Sequence, residues 1–190
     1  MPDAPPPEPP EFLLRRLPDR EGRPSAEPAA GGGLRPSSDR MTIREKDGER
    51  YLSCCSLAVI SPLDLLEVEA TRRSRGGEPV TAEDLLDRGW RVCLFAASDL
   101  LAIPDPDGGP LRLAYEHDDD LPGHYGVHGA DGRPFPNRRA KKLAKTAFVL
   151  TAEQTRTIPA GPVTPAEVAA WREAARAKPL TGNPAPPAGP

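Results

Sequence analysis

The sequence predicts an α+β fold: a single domain built on a mainly antiparallel sheet, with helices packed on one side and proline-rich tails at both ends. Three observations predict it. Apolar stretches of strand length recur along the chain and are bounded by turn residues. Helix-start signals of the Ser/Thr cap type fall between them. Strands and helices do not alternate in regular β-α-β units, so a parallel crossover sheet is not expected.

The elements follow in order. The run at 11–17 reads as a strand closed by Pro18. Residues 19–33 lack apolar periodicity and read as a mobile loop, followed by LRPSS at 34–38. Residues 41–60 read as two strands joined at Asp47-Gly48, a hairpin dipeptide. Ser61-Pro62-Leu63-Asp64 starts a helix over about 62–73: serine caps, proline suits the first turn, and aspartate complements the helix dipole. Thr81-Ala82-Glu83-Asp84 starts a shorter helix that ends at Gly89. The stretch WRVCLFAA at 90–97 is a buried strand, and Ser98–Ile103 is either a helical turn or its extension. Residues 105–110 are a turn. Over 111–118, Leu111, Leu113 and Tyr115 alternate with Arg112, Ala114 and Glu116, as in a half-buried strand. His124–Gly129 forms another short strand. Asn137 caps a helix whose Ala140, Leu143, Ala144 and Ala147 lie on one stripe. Residues 148–151 make a closing strand, and Thr164 with Glu167 forms a capping box for a last helix over 164–178.

Composition bounds the rest. The 190 residues include 26 prolines and 17 glycines, and eleven of the prolines fall at 1–10 and 179–190. Neither end can bury enough apolar surface to offset the entropy of ordering, so both read as disordered tails around one domain over 11–178. A net charge of −3 selects no partner class. No apolar window is long enough to span a membrane, and the acidic, proline-rich start lacks a signal-peptide pattern, so a cytoplasmic protein is expected. Cys54, Cys55 and Cys93 lack C-x-x-C spacing and read as buried free thiols. The excess of arginine over lysine is of the kind a GC-rich bacterial genome produces.

Three features carry chemistry. The stretch HDDDLPGHYGVHG at 117–129 holds all three histidines. His124 and His128 have the i, i+4 spacing of a helical zinc pair, but Pro122, Gly123, Gly126 and Gly129 refuse a helix. On a strand the two would sit roughly 13 Å apart, too far to share a metal, so no metal or other cofactor is expected. Asp118-Asp119-Asp120 lacks the spacing of a calcium loop and reads as solvated loop charge. His124 is the candidate acid or base.

The second feature is a basic run containing Arg133, Arg138, Arg139, Lys141, Lys142 and Lys145, with no acids among them. With Ala140, Leu143 and Ala144 buried, most of these side chains face outward as a basic surface. Only Phe135 lies nearby to stack on bases, so a solvated helix face or a docking surface for an acidic partner is favoured over nucleic acid. The acidic residues at 116–120 offer an intramolecular neighbour for it. The third feature is LRPSS, where Arg35, Ser37 and Ser38 offer a guanidinium and two hydroxyls to a phosphate or carboxylate.

Taken together, LRRLP, LRPSS, YLSCCSL, D-x-L-P-x-H and the following basic helix resemble a pattern shared by small bacterial proteins that carry no assigned activity. The resemblance covers about residues 11–150. Arg15 or Arg16, Arg35, Ser37, Ser38, Ser53 and His124 stand at its polar positions, while Cys54-Cys55 replace aliphatic residues. It implies ligand-binding roles for Arg16, Arg35, Ser37, Ser38 and Ser53 without naming a reaction.

Two functions are therefore expected of such a chain. One is a small binding or accessory module acting through a protein partner. The alternative is an enzyme on a phosphorylated or nucleotide substrate, with Arg16 and Arg35 on the phosphate and His124 as acid or base. The second requires Arg35 and His124 to meet in one cleft. The sequence does not decide whether the chain is an enzyme.

Overall fold

The structure, a computed structural model, describes residues 9–18, 25–41, 51–77, 79–103, 109, 111–129 and 137–177, excepting the side chains of 137 and 138. The expected proline-rich tails, the Asp47-Gly48 hairpin turn and the side chain of Arg138 lie outside these residues, apart from Pro9 and Pro10.

The strands are β1 (Phe12–Leu17), β2 (Ala26–Pro28), β3 (Leu34–Pro36), β4 (Leu52–Ser56), β5 (Arg91–Ala96), β6 (Arg112–Tyr115), β7 (His124–His128) and β8 (Phe148–Val149). The helices are α1 (Pro62–Ser74), α2 (Ala82–Asp87), α3 (Ala97–Leu101), α4 (Asn137–Thr146), α5 (Ala152–Thr157) and α6 (Pro165–Ala177). Six strands form one sheet in the order β6-β7-β4-β1-β5-β8, with every pair antiparallel. β2 and β3 form a separate two-stranded ribbon. The α+β class and the antiparallel sheet are as the sequence predicts.

The helices, however, cover both faces rather than one. Alternation along the strands divides the core in two. One face presents Phe12, Leu14, Cys55, Val92, Leu94 and Phe148 to α1, α2 and α6. The other presents Leu13, Cys54, Cys93, Phe95 and Val127 to α3 and α4. Adjacent residues such as Leu13 and Leu14 are both fully buried, on opposite faces. That is why Phe12-Leu13-Leu14 of β1 and Val92–Phe95 of β5 read as continuous apolar runs rather than as alternating ones.

Helix starts behave as their residues dictate. Ser61 Oγ accepts from the Asp64 amide. Thr81 with Asp84 completes a reciprocal capping box, although aspartate is the shorter partner. Thr151 with Gln154 does the same for α5, a helix the sequence reading missed. The stretch after β5 is a short helix over Ala97–Leu101 rather than an extension of the strand. Within the expected mobile loop, Ala26–Pro28 is a strand paired with Leu34–Pro36. Its turn packs on α6: Gly33 adopts φ 72°, and a Cβ there would lie 3.2 Å from the Ala175 carbonyl oxygen. Leu111, just before β6, is buried, but Tyr115 at the end of β6 is 43% exposed. Tyr115 lies edge-on to Tyr125 instead of entering the core.

Leu13 sits in the central strand with no solvent exposure. Leu13→Ala is expected to cost about 2–5 kcal/mol through lost burial and an incompletely collapsed cavity, measured by urea denaturation.

Candidate functional site

The polar residues of the candidate site are brought together by strand register. Cys55 pairs with His124, and Ser53 with Gly126. Alternation places Ser53, Cys55, His124, Gly126 and His128 on the face that carries α1, together with Arg16 of β1. The first residue of β7 is fixed by the turn before it. Gly123 has φ 64°, and a Cβ there would lie 2.7 Å from the Val59 Cβ, so only glycine fits. Its carbonyl accepts from the Ser56 amide at 2.8 Å, which extends the β4–β7 ladder to the turn.

His124 is buried. Its Nε2 lies 2.8 Å from Ser53 Oγ. Its Nδ1 has no hydrogen-bond partner among the described residues and stands 3.8 Å from Asp118 Oδ2. Asp118 is itself fixed. It accepts from one Arg72 nitrogen at 3.1 and 3.0 Å and from the Asp120 amide at 3.0 Å. One turn along α1, Arg75 pairs with Asp120 at 3.0 Å. The acidic run is therefore clamped to the last turn of α1, where cations also complement the helix dipole. It is neither simply solvated loop charge nor the neighbour of the basic helix, because the α1 arginines lie closer and offer the planar fork that suits a carboxylate. His117 points outward, 77% exposed.

The electrostatics follow from burial and these pairs. Burial pushes the His124 imidazole below its ordinary value, outweighing the opposite pull of Asp118 and Glu116. Arg16 and Arg72 act in the same direction as burial. For Asp118, burial alone would raise the carboxyl, but the Arg72 and Asp120 hydrogen bonds and the nearby positive charges hold it below its ordinary value. Burial pushes the Cys55 thiol up to about 12, so it stays protonated and unreactive at neutral pH. All three cysteines are buried and free.

A second pair extends the strip. His128 Nε2 lies 2.7 Å from Glu116 Oε1. The Tyr51 ring sits 5.7 Å from the His124 ring and 5.1 Å from that of His128. These groups close over Gly126, where a Cβ would lie 2.7 Å from His128 Nε2, 2.9 Å from Glu116 Oε1 and 2.9 Å from the Tyr51 ring. Among the described residues, no group of three potential ligands is placed to hold a metal ion.

The structure thus gathers Arg16, Ser53 and His124 on one face and leaves Arg35, Ser37 and Ser38 elsewhere. Arg16 is bound to Glu69 at 2.8 Å. Arg35 lies on β3, which packs against β8 and α4. β8 is at the far edge of the sheet from β7, four strand spacings or roughly 19 Å away. Arg35 there pairs with Glu27 at 2.9 Å. Ser37 Oγ donates to Asp39 at 2.6 Å, and Ser38 opens a 3-10 turn over Ser38–Met41. The cleft required to join Arg35 to His124 is not formed. Arg15, next to Arg16, points to the opposite face and donates to the Ser53 carbonyl at 2.6 Å.

Of the expected basic surface, Lys141, Lys142 and Lys145 are exposed. Arg139 is not: it is 1% exposed and donates to the Gly109 carbonyl at 2.9 Å. It precedes Ala140 on the same inward side of α4, so its guanidinium is turned inward to that carbonyl. Sequence reasoning missed Asp118, Arg72, Glu116, His128 and Tyr51 as members of the His124 strip. Only the opposite charge of the 118–120 run and the Arg72, Arg73, Arg75 cluster hinted at any of it.

No family model, no curated protein and no solved structure matches this chain.

Two outcomes are expected at this site. Gly126→Ala should separate Glu116 from His128 and cost about 1–3 kcal/mol by overpacking, measured by denaturant unfolding. The lowered His124 value fixes a pH dependence. As pH falls below the unfolded value of 6.5, the unfolded chain takes up a proton before the folded one. The His124 contribution is therefore whole above that pH and is lost as pH falls through the lower folded value. Urea midpoints near pH 7.5 and pH 5 should differ less in His124→Gln than in the native chain.

Proposed function

We propose that this chain is a binding module of the bacterial cytoplasm that engages an acidic segment of a partner protein through the lysine face of α4. One observation carries this reading. The acidic run expected to neutralise that face is held at the end of α1 instead: Arg72 takes Asp118 and Arg75 takes Asp120. Lys141, Lys142 and Lys145 make no ion pair with any described residue. Their backbone is rigid, because Ala140, Leu143, Ala144 and Ala147 on the other side of the helix are buried in the core. Lys141 and Lys145 are one turn apart, about 6 Å along the axis, with Lys142 beside them. That spacing suits carboxylates repeated one helical turn apart on an acidic partner. No aromatic side chain interrupts the described part of the helix to stack on a base, which favours protein over nucleic acid.

The phosphate-enzyme alternative draws no support from the arginines it would use. Arg16 and Arg35 each already face a carboxylate, Glu69 and Glu27 respectively. A phosphate would have to displace those carboxylates.

Fluorescence anisotropy with a labelled Glu/Asp-rich dodecapeptide, and with a DNA duplex of equal charge, tests the reading. The peptide should bind in a salt-dependent way and more tightly than the duplex. At roughly 0.5 kcal/mol for each exposed pair, removing three lysines in K141A/K142A/K145A should weaken it about tenfold. Equal affinity of the variant and the native chain, or preference for the duplex, overturns it.

A further inference from the structure

The binding face on α4 makes no use of the most densely connected polar group in the molecule, the one around His124. We propose that Ser53 is a nucleophile, with His124 as its base and Asp118 as the group that positions the base, and that it accepts the acyl group of an uncharged carboxylic ester. The site is assembled from β4, β7 and the turn after β6, so it lies outside any local sequence motif, and such constellations are recognised by geometry and role.

The imidazole nitrogen 2.8 Å from Ser53 Oγ either donates to the hydroxyl or accepts from it. The other nitrogen decides which. Nδ1 is buried, without a hydrogen-bond partner among the described residues, and faces the Asp118 carboxylate at 3.8 Å. A lone pair there would face negative charge, whereas an N–H faces it favourably. The proton therefore belongs on Nδ1, which leaves the Nε2 lone pair to accept from Ser53 O–H. That is the tautomer that activates a serine. The gap to Asp118 is longer than a hydrogen bond, but bonds of this kind are often long before substrate binds and tighten as the imidazolium forms. Arg72 holds Asp118 in place meanwhile.

The nearby alternatives fail as nucleophiles. Cys55 shares the same face but is held protonated by burial. Ser56 on β4 is turned to the opposite side of the sheet from Ser53 by the strand's alternation and is buried. Ser53 is half-buried, reachable yet partly shielded from water.

In the reaction, Ser53 Oγ forms a bond to the ester carbonyl carbon and its proton passes to His124 Nε2. The bond from that carbon to the alcohol oxygen then breaks, and the leaving oxygen takes the proton from Nε2. Water next attacks the acyl-serine, giving one proton to Nε2. The Ser53–acyl bond breaks, Oγ recovers the proton, and a carboxylic acid leaves. Ester and water become acid and alcohol, and no other reactant is needed. Arg16 and Arg72 both act electrostatically on the imidazole and favour negative charge developing beside it. The Arg16 and Arg72 guanidiniums each already hold a carboxylate, Glu69 and Asp118, so an acyl group carrying its own negative charge would have to displace one of them and an uncharged ester fits the face better.

The test uses the full chain and a fluorophosphonate probe, in which serine displaces fluoride from phosphorus, followed by peptide mapping. Ser53 of the native chain should be labelled, and Ser53→Ala should lose that label while keeping a single cooperative unfolding transition. His124→Gln should label about 100-fold more slowly, the loss of a general base. The groups facing His124 are Ser53 and Cys55 from β4, Arg16 from β1, Arg72 from α1, Glu116 and Asp118 around the end of β6, and the Tyr51 ring. Of these, Asp118 and Glu116 raise the imidazole value. Asp118→Asn should therefore move the acid limb of the labelling rate to lower pH, a change that mere loss of packing would not produce. Absence of label on native Ser53, an unchanged rate in His124→Gln, or an unmoved limb in Asp118→Asn overturns the proposal.

Discussion

The pairing of β4 with β1 on one side and β7 on the other is the constraint on which the molecule depends. β4 is flanked on both edges, so its alternation must satisfy two ladders and two cores at once. Leu52 and Cys54 go to the α4 face, while Ser53 and Cys55 go to the α1 face. A slip of β4 by one residue would turn Ser53 into the opposite apolar layer and bring a leucine against His124. Gly123 and Gly126 enforce the register locally. The first makes the turn that starts β7, and the second leaves the space over which Glu116, His128 and Tyr51 meet.

The charges divide by type as well as by place. Arginines hold the molecule together: Arg16 to Glu69, Arg72 to Asp118, Arg75 to Asp120 and Arg156 to Glu83. Arg15 and Arg139 are turned inward to backbone carbonyls. Each uses the planar fork that can satisfy acceptors while part of the group is dry. Three of the five lysines stand in solvent on α4. An ammonium is strongly hydrated, and nothing in the core layer beneath that helix offers it an acceptor worth the loss of water. The bonds among the exposed arginines contribute little individually, whereas the partly buried Arg16–Glu69 pair would leave an uncompensated charge if one partner were removed.

His124 is the point where the apolar layer and the charged one meet. It has neighbours from β1, β4, α1 and the turn after β6, yet one nitrogen stays unsatisfied among the described residues. A buried imidazole in that condition is held at a cost of about 1–3 kcal/mol. A purely structural position would more economically hold an apolar side chain. The unmet nitrogen facing a fixed carboxylate is therefore the feature of this structure that most asks for a chemical role.

Much of the scaffold was legible from residue order alone. The strand-length run closed by Pro18 identified β1, a continuous apolar run identified β5, Ser61 and Thr81 marked α1 and α2, and the Ala140, Leu143, Ala144 stripe fixed the buried side of α4. These signals are local: each depends on side chains within a turn or two of one another, and the chain carries them wherever it folds. His124 and Ser53 could be singled out, but not joined. Three further matters depended on tertiary contacts between residues far apart in sequence. They are the placing of helices on both faces, the partner of the acidic run, and the separation of Arg35 from His124. Charge is read over distance and solvent exposure rather than over sequence spacing, so the order of residues determined which groups were available and the strand order decided which of them could meet.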